Sequence, residues 1–445
     1  MNYPDTLRYL YSLINYEKTD FQYTDLKLDR MRELIDRLGH PEKSQPVVLV
    51  AGTKGKGSTS YYLERILSLA GRKTGLYVKP HLLTFRERIR LSGELISPDD
   101  LAHLVTELRP VIESMDRSSR YGSPTYFEVS VALAFQHFQN NGVDIAVMEV
   151  GLGGRLDATN VAQPALSVIT PISYDHTEIL GNTLPKIARE KAGILRSHVP
   201  LICGLQEYPA ARDTIQRVAF DLGTPVIHFT EHCRYQIVNR EKRGSTFTWS
   251  LSDGQTGTFF LSIPGDQQVV NFLTALLAAR ELGVRPDRDE LQSVLSEVCW
   301  PGRIQHLQDD PTIIFDVAHN QASFATLCQT LRDYFGIRKA VFLLGFLNGK
   351  DHPGIAEEIA HFGGTIFLTT PFNPKAILPQ DICPYFSTSQ TLVRVVNEPF
   401  EARNRAMDYA CEHHLPLVVA GSFYLAKLFA EKLHVGIEKE EMELC

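Results

Sequence analysis

The sequence predicts an α/β protein in which a large, mostly parallel sheet with a small antiparallel subsheet is followed by a smaller α/β domain. Short apolar runs typical of strands alternate with helical patterns along most of the chain. A glycine-rich turn at residues 52–57 joins one such run to a helix. Residues 234–262 alternate around glycines, which is typical of antiparallel hairpins.

The first domain is predicted to span residues 1–300. A helical pattern covers residues 5–38, with an interruption around 19–24. A strand at 47–51 leads through the glycine-rich turn into a helix at 58–70, which Gly71 closes. The remaining elements are predicted from similar patterns: strands at 144–150, 166–171, 199–203 and 225–228, and a helix at 266–282.

The second domain is predicted to span residues 301–445, because turn residues at 300–303 follow a helical segment. Strands are predicted at 312–317, 340–345, 364–369 and 415–420. Their alternation with helical patterns indicates a Rossmann-like sheet. The acid-rich segment 438–443 is predicted to be a solvated tail.

Composition restricts the class of protein. With 445 residues, 44% of them hydrophobic, the chain can form a large core. The formal charge of −7 argues against wholesale binding to nucleic acid or to a membrane surface. Seven cysteines with no C-x-x-C pair suit a reducing cytoplasm. The N-terminus lacks the pattern of a signal peptide, and apolar runs stay below the roughly 18 residues of a membrane span.

The strongest local motif is the glycine-rich segment between the first strand and its helix, Gly52-Thr53-Lys54-Gly55-Lys56-Gly57-Ser58. Its glycines let N–H groups surround phosphate oxygens, and the helix N-terminus adds partial positive charge. Lys56 is placed to reach the β- and γ-phosphates, and Ser58 or Thr59 to cap the helix or approach a metal. A phosphate loop of this P-loop type differs from the common G-x-x-x-x-G-K-[ST] by the glycine after the lysine.

An acidic residue ends a second predicted strand. Glu149 lies near the carboxyl end of the run 144–150, and three glycines at 151–154 follow it. Parallel sheets bind ligands at this edge, and a carboxylate there suits Mg²⁺, which prefers oxygen ligands. The pattern favours this interpretation over a structural acid in a tight loop.

Two further residues are ambiguous on pattern alone. His176 follows the strand ending near Pro171, a position equally compatible with a structural role and with a metal or phosphate contact. Lys191 lies in the segment 188–194, whose charges by themselves indicate a solvated helix face.

Taken together, these residues resemble the folylpolyglutamate and dihydrofolate synthases of the Mur ligase superfamily. The motifs that carry the resemblance occur in the order of that family: GTKGKGS, PHLLTFRERIRLSGELI, TYFEVSVALAF, EVGLGGRLDATN, DHTEILGNT, REKAGI, WPGRIQ, DVAHN and AGSFYLA. The ordered set spans nearly the whole chain and is highly specific.

The resemblance implies an ATP-dependent ligase that adds L-glutamate to reduced folates. The sequence leaves open whether the enzyme only extends reduced folates or also joins glutamate to dihydropteroate, and the bifunctional alternative is preferred. The acceptor carboxylate would take the γ-phosphate of ATP, and the amine of glutamate would displace phosphate from the resulting acyl phosphate. It also implies Mg²⁺ as the metal, a monomer and a cytoplasmic location, with neither nucleic acid nor membrane as a partner.

The resemblance assigns roles to individual residues. Those matched to ATP binding are Thr53, Lys54, Gly55, Lys56, Gly57, Ser58, Asn271, Arg303 and Asp316. Glu149 and His176 match Mg²⁺ ligands, and Lys191 matches a lysine that is N-carboxylated. Lys56 and His319 are the other catalytic candidates. The residues matched to the acceptor site are Thr125, Phe127, Glu128 and Asp157.

Four departures from the family pattern bear on the ATP and metal sites. Lys79 replaces a serine that ligates Mg²⁺ in the family, and a charged lysine cannot do so. Either its ammonium takes over part of the metal's charge role, or Mg²⁺ binds differently. The other departures are Val317 for glycine, Gln267 for histidine and Gly349 for aspartate.

Two other functions remain open. A Mur-type ligase acting on a cell-wall nucleotide precursor would share the ATP chemistry, although such enzymes usually carry a further domain where this chain has 46 residues before the first strand. A non-catalytic folate- or nucleotide-binding relative is supported only by Lys79 and Val317.

Overall fold

Two α/β sheets and a small antiparallel sheet form the protein. The computed structural model describes residues 1–387, 391–433 and 435, so the predicted acidic tail lies outside the described residues. The strands in chain order are β1 (Val47–Ala51), β2 (Thr74–Tyr77), β3 (Ile89–Leu91), β4 (Glu94–Leu95), β5 (Ile145–Glu149), β6 (Pro164–Ile169), β7 (Leu201–Cys203), β8 (Val226–His228), β9 (Cys233–Glu241), β10 (Gly244–Leu251), β11 (Thr256–Leu261), β12 (Gln305–Asp309), β13 (Thr312–Phe315), β14 (Ala340–Leu344), β15 (Gly364–Leu368), β16 (Thr391–Val395) and β17 (Leu417–Ala420).

Helices connect most of these strands. In chain order they are α1 (Tyr3–Ser12), α2 (Leu28–Arg37), α3 (Lys56–Leu69), α4 (Pro98–Ser118), α5 (Tyr126–Asn140), α6 (Thr177–Leu180), α7 (Leu184–Ala192), α8 (Pro209–Leu222), α9 (Phe229–His232), α10 (Asp266–Glu281), α11 (Arg288–Glu297), α12 (Gln321–Phe335), α13 (His352–Phe362), α14 (Pro379–Phe386) and α15 (Pro399–Glu412). Short 3₁₀ helices occupy Tyr23–Asp25, Pro41–Lys43, Phe85–Arg88, Ala158–Val161 and Phe423–Lys432. Among the described helices, none is long and apolar enough to cross a membrane.

The first sheet has the strand order β4-β3-β2-β5-β1-β6-β7-β8. Strands β2, β5, β1, β6, β7 and β8 are parallel, whereas β3 and β4 are antiparallel. All five residues of β1 are buried, which explains the uninterrupted apolar run. Its alternate residues contribute to different cores: Val47 and Leu49 pack beside α5, and Val48 and Val50 beside α3 and α10.

The antiparallel sheet β11-β10-β9 covers the α10 side of this core. Phe247 of β10 and Phe259 of β11 pack edge-on against Phe272 of α10, with ring centroids 6.1 and 6.2 Å away. A fully buried phenylalanine of this kind stabilises the fold by about 1.5–3 kcal/mol. The subsheet predicted at residues 234–262 is therefore confirmed.

The last sheet has the order β12-β13-β17-β14-β15-β16. It is parallel except for β12, which pairs antiparallel with β13. The predicted strands β13, β14, β15 and β17 are confirmed. Strands β12 and β16 were missed because both are half-exposed edge strands with polar residues, so they lack the continuous apolar run of a central strand.

Two helix predictions need correction. The helix predicted from residue 58 begins at Lys56, because Gly55 adopts a left-handed conformation (φ 78°) as its N-cap. The interruption predicted around 19–24 is longer, since α1 ends at Ser12 and α2 begins at Leu28. Strands β2, β3 and β4 were also missed, because each has only two to four residues.

Candidate active site

The phosphate loop leaves β1 and runs into α3. The N–H groups of Thr53 and Lys54 donate to the carbonyl of Pro171, at 2.9 and 3.2 Å, and tie the loop to the segment after β6. At Gly55 a Cβ atom would overlap the amide of Asn271, so glycine is required there. The N–H groups of the first turn of α3 have no intrahelical acceptor, and residues 55–58 line a cavity. This arrangement is suited to binding phosphate.

The N-cap of α3 is a glycine and not a residue with a side-chain hydroxyl. Neither Ser58 nor Thr59 caps the helix, because the N-cap is Gly55 and makes no side-chain hydrogen bond. Ser58 lines the cavity. The hydroxyl of Thr59 is buried away from it and has no hydrogen-bond partner among the described residues.

Two lysines are held against the loop. Lys56 Nζ donates to the carbonyl of Gly52 at 3.2 Å, and Lys191 Nζ donates to the same oxygen at 2.7 Å. Lys191 is 5% exposed, so the expectation of a solvated face on this helix is wrong for this residue, although Arg189 is exposed. Burial, together with repulsion from Lys56, lowers the pKa of Lys191 to about 7.

Glu149 ends β5 beside the start of α3 and is 5% exposed. One carboxylate oxygen, Oε2, accepts the N–H of Lys79 at 3.1 Å. Burial raises the pKa of Glu149, and the nearby charge of Lys56 opposes that effect. A Cβ atom at Gly57 would lie 3.2 Å from Oε2, so glycine allows the carboxylate to approach the helix start.

The loop after Glu149 is closed by Asp157. Its Oδ2 accepts the N–H of Leu152 at 2.8 Å, and its Oδ1 accepts the hydroxyl of Thr159 at 2.7 Å. Gly151 lies against Phe127 and Asp157, where a side chain would collide with the phenyl ring. Asp157 thus shapes the cavity wall through hydrogen bonds made within the loop.

Thr125 and Glu128 form a capping box at the start of α5. The Thr125 N–H donates to Glu128 Oε2 at 2.7 Å. Arg30 Nε donates to both carboxylate oxygens of Glu128, at 2.9 and 2.7 Å, and this pair is buried. The T-x-x-E spacing could have predicted the box, whereas nothing in the sequence pairs Arg30 with a residue 98 positions later.

Arg303 and Asp316 lie on the wall of the cavity opposite the phosphate loop. Arg303 precedes β12 and Asp316 follows β13, so both belong to the last sheet, called the second sheet below. Asp316 accepts the N–H of Ile304 at 2.9 Å and the N–H of Ala318 at 2.7 Å. Burial raises its pKa, and the charge of Arg303 opposes this. The guanidinium of Arg303 lies 5.6 Å from the ring centroid of Phe423. Asp316 therefore orders the turn in which Arg303 is held.

Asp175 connects the two walls. Its carboxylate accepts Lys350 Nζ at 3.3 Å and Asn320 Nδ2 at 3.2 Å, and His319 Nε2 lies 3.9 Å away. The neighbouring His176 and Lys350 hold the pKa of Asp175 far below its usual range, although burial opposes them. Both the pairing with Lys350 and that with Asn320 were missed by sequence reasoning, because they join loops of different sheets.

The two histidines face the same cleft. His319 Nδ1 lies 2.8 Å from the carbonyl of Val317, which fixes the proton on Nδ1 and leaves a lone pair on Nε2. His176 is the N-cap of α6 in a left-handed conformation (φ 50°). Desolvation lowers the pKa of both imidazoles, so both are neutral at neutral pH.

One cavity of about 1160 Å³ is lined by every residue predicted for the site. It runs from the phosphate loop, past Glu149, to the apolar wall formed by Phe127 and Leu156. Residues of the second sheet, including Arg303 and His319, complete it. The fold thus unites a polar, cationic end and a partly apolar end in a single cleft.

The Mur ligase middle domain family matches residues 50–279, and the Mur ligase glutamate ligase domain family matches residues 302–423. The dihydrofolate synthase/folylpolyglutamate synthase of Bacillus subtilis is 34% identical over 362 residues, covering 80% of this chain and 83% of that protein. This chain belongs to the folylpolyglutamate and dihydrofolate synthase family of Mur ligases. The folylpolyglutamate synthase of Lacticaseibacillus casei is 29% identical to this chain, and the alignment covers 98% of this chain and 100% of that protein.

Solved structures of the family have the same architecture. Mycobacterium tuberculosis folylpolyglutamate synthase complexed with ADP superposes with a TM-score of 0.86 and 28% identity, covering 98% of this chain and 100% of its own. The Escherichia coli FolC protein in complex with DHPP and ADP superposes with a TM-score of 0.81 at 30% sequence identity, and the match covers 97% of each chain. The α/β fold predicted from the sequence is confirmed.

Three of the four departures from the family pattern pack without disturbance. Val317 is buried and its N–H donates to the carbonyl of Gly302 at 3.2 Å. Gln267 folds back over Gly265, and Gly349 has a positive φ of 75° that suits glycine. All four positions line the cavity, and Lys79 differs from the other three because it brings a cationic side chain to it.

Proposed function

We propose that this protein is an ATP-dependent ligase that adds L-glutamate to reduced folates and also to dihydropteroate. The observation that carries the proposal is the cavity, which joins a phosphate loop to a partly apolar wall. A nucleotide and a carboxylic acid bound at its two ends would meet beside Glu149. Membership of the family supports the same activity.

The reaction has two steps in this account. A carboxylate oxygen of the acceptor attacks the γ-phosphorus of ATP, the bond from phosphorus to the β–γ bridging oxygen breaks, and ADP leaves. The neutral amine of glutamate then attacks the acyl carbon and a tetrahedral intermediate forms. The nitrogen releases one proton to solvent, and inorganic phosphate leaves with the former carboxylate oxygen. Lys56 and the N–H groups of residues 55–58 would stabilise the transferring charge. Asn271, Arg303 and Asp316 would enclose the nucleotide, with Thr53 and Lys54 at the loop.

The residues present fit Mg²⁺. Glu149 lines the cavity and uses one oxygen to accept a backbone N–H. The His176 imidazole also lines the cavity, is neutral at neutral pH and is 47% exposed. The described residues contain no group of three or more His, Cys, Asp or Glu placed to hold a metal. Mg²⁺ is commonly bound through one or two carboxylates together with water and substrate phosphates. Bound Mg²⁺ would neutralise phosphate charge during transfer.

Lys191 is proposed to carry the carbamate implied by the family. With a pKa near 7 a large fraction of its amine is neutral and nucleophilic at physiological pH. The nitrogen lone pair would attack CO₂, an N–C bond would form and a proton would be released. The anionic product would replace a positive charge beside Lys56, whose proximity disfavours the ammonium form.

His319 and Asp175 are proposed to serve the second step. The Nε2 lone pair of His319 would accept a hydrogen bond from the amine of glutamate and orient it toward the acyl carbon. Asp175, bound to Lys350 and Asn320, would keep the two walls together and water out while the acyl phosphate exists.

The acceptor would occupy the wall formed by Thr125, Phe127, Glu128 and Asp157. The division into an ATP-binding domain at residues 1–300 and a glutamate-ligase domain at 301–445 is also proposed, since the turn at 300–303 lies between the two sheets. A monomer in the cytoplasm completes the proposal. Six described cysteines are free thiols, which supports a reducing compartment.

The proposal is tested with purified protein, Mg-ATP and L-glutamate, with dihydropteroate and tetrahydrofolate supplied separately. Mass spectrometry should detect one added glutamyl unit on dihydropteroate and extension of tetrahydrofolate, with one ADP for each bond formed. The Lys56→Met variant is the matched catalytic control. Extension of tetrahydrofolate alone would exclude the dihydrofolate synthase activity, and no product with either acceptor would contradict the proposal.

A further inference from the structure

Lys79 occupies the boundary between the two ends of the cavity. It follows β2, whose neighbour in the sheet is β5, and its N–H donates to Glu149 at the end of β5. Its side chain extends toward the apolar wall, where Nζ lies 5.6 Å from the ring centroid of Phe127. A cation over an aromatic face is attracted by the ring, which holds the ammonium in this position.

Among the described residues, the ammonium of Lys79 lacks the hydrogen bonds and ion pairs that hold Lys56, Lys191 and Lys350. Lys56 and Lys191 both donate to the carbonyl of Gly52, and Lys350 is paired with Asp175. Within the described part of the chain, no hydrogen bond or ion pair joins Lys79 Nζ to another residue. Its N–H donors are therefore available to a ligand in the cavity.

Lys79 lies between the charged groups of the two ends of the cavity. Its charge acts on Glu149 and Lys56 at the phosphate end and on Asp157 and Glu17 toward the acceptor end. An acid bound against Phe127 with its reacting group toward the phosphate loop would bring its carboxylate to this boundary.

We propose that Lys79 is a further catalytic residue, whose ammonium binds the acceptor's carboxylate and holds it in line with the γ-phosphate. This inference rests on the proposed function. Lys79 would pair with the carboxylate before transfer and with the acyl phosphate oxygens after it, so that it supplies positive charge on the acceptor side of the reacting atoms.

The test measures binding of the acceptor in the presence of ADP, so that no reaction takes place. Calorimetry with protein and Mg-ADP compares dihydropteroate with its carboxamide, in which the reacting carboxylate is a neutral amide. Wild-type protein should prefer the acid by about 10- to 100-fold, the range for one hydrogen bond to a charged group. In Lys79→Met that preference should fall toward unity, and Lys79→Arg should retain most of it.

Lys73→Met is the matched control, because Lys73 precedes the same strand at its opposite end and is exposed. It should keep the wild-type preference. A folded Lys79→Met variant with the wild-type preference would overturn this inference while leaving the proposed function intact. Wild-type protein that binds neither compound and forms no glutamylated product would overturn both.

Discussion

The carboxyl ends of the two parallel sheets differ in how far their polar groups are satisfied. At the first sheet, Glu149 uses one oxygen for a single backbone N–H, and the first turn of α3 presents N–H groups to the cavity. At the last sheet, both oxygens of Asp316 accept backbone N–H groups, one from Ile304 in the turn before β12 and one from Ala318. The first edge therefore keeps polar groups available for the proposed nucleotide and metal. The second edge is a stable frame that positions Arg303 and His319.

The largest effect is expected at Lys191. The Lys191→Ala variant should lose turnover by at least about 100-fold, because it removes the proposed anionic group beside the phosphate loop. Folding should persist, since a buried lysine with a lowered pKa is costly to bury in its charged form. Product formation and thermal melting measure the two effects.

Lys186→Ala is the control for this variant. Lys186 lies on the same helix, is exposed, and contacts Asn182 at 3.4 Å. It should behave as the wild type. Wild-type kcat in Lys191→Ala would remove Lys191 from the mechanism.

A pair of variants tests the comparison between the edges directly. Glu149→Gln should lower turnover by about 10-fold or more without loss of stability, because burial already disfavours the charged carboxylate there. Asp316→Ala should instead destabilise the fold, by about 1–3 kcal/mol for each of the two N–H groups it leaves unpaired. Urea denaturation and steady-state kinetics on both variants separate the outcomes, and the reverse pattern would refute the contrast.

A smaller effect on turnover is expected at Asp175, where residues of the two sheet edges meet. Asp175→Asn removes the charge that pairs with Lys350 and faces His319. Less complete exclusion of water should let the acyl phosphate hydrolyse, so ADP release should exceed product formation, and kcat should fall about 10-fold. Lys375→Met, which removes a more exposed contact with Asp20, is the control. A ratio of one ADP per product in Asp175→Asn would contradict the proposed role.

The pH dependence of stability gives the smallest effect. The pKa of Lys191 is about 7 in the folded protein against an ordinary 10.5. Between these values the unfolded chain binds a proton that the folded chain does not, so stability should rise with pH, by at most about 1.4 kcal/mol per unit. Below pH 7 Lys191 is protonated in both the folded and the unfolded chain, so its contribution to the free energy of unfolding no longer changes with pH.

Urea midpoints in CO₂-free buffer from pH 7 to 9 check this expectation. Wild-type stability should increase relative to Lys191→Met across the range. A constant difference would show that Lys191 titrates near its ordinary value.

Much of the fold was predictable because the central strands are buried on both faces. The runs at β1 and β14 are fully apolar for that reason. The edge strands carry no such signal, because β12 is mostly polar and β16 is half-exposed with polar residues among its apolar ones. The start of α3 was placed two residues late because Gly55 caps the helix through its positive φ, which a residue pattern based on hydroxyl caps does not predict.

The site was predictable where motifs follow strand ends, as Glu149 and the phosphate loop do. The burial of Lys191 was not, since its neighbours Arg189 and Glu190 suggest a solvated face and only tertiary packing encloses it. The pairing of Asp175 with Lys350, 175 positions away, depends on how the two sheets face each other. Long-range pairs of this kind leave no local pattern.

Transfer of oxygen from the acceptor tests the central claim most directly. Dihydropteroate labelled with ¹⁸O in both carboxylate oxygens is converted with Mg-ATP and L-glutamate, and the released phosphate is analysed by mass spectrometry. The acyl phosphate route predicts one ¹⁸O in each phosphate and one in the new amide. Phosphate without ¹⁸O, released alongside glutamylated product, would contradict the account.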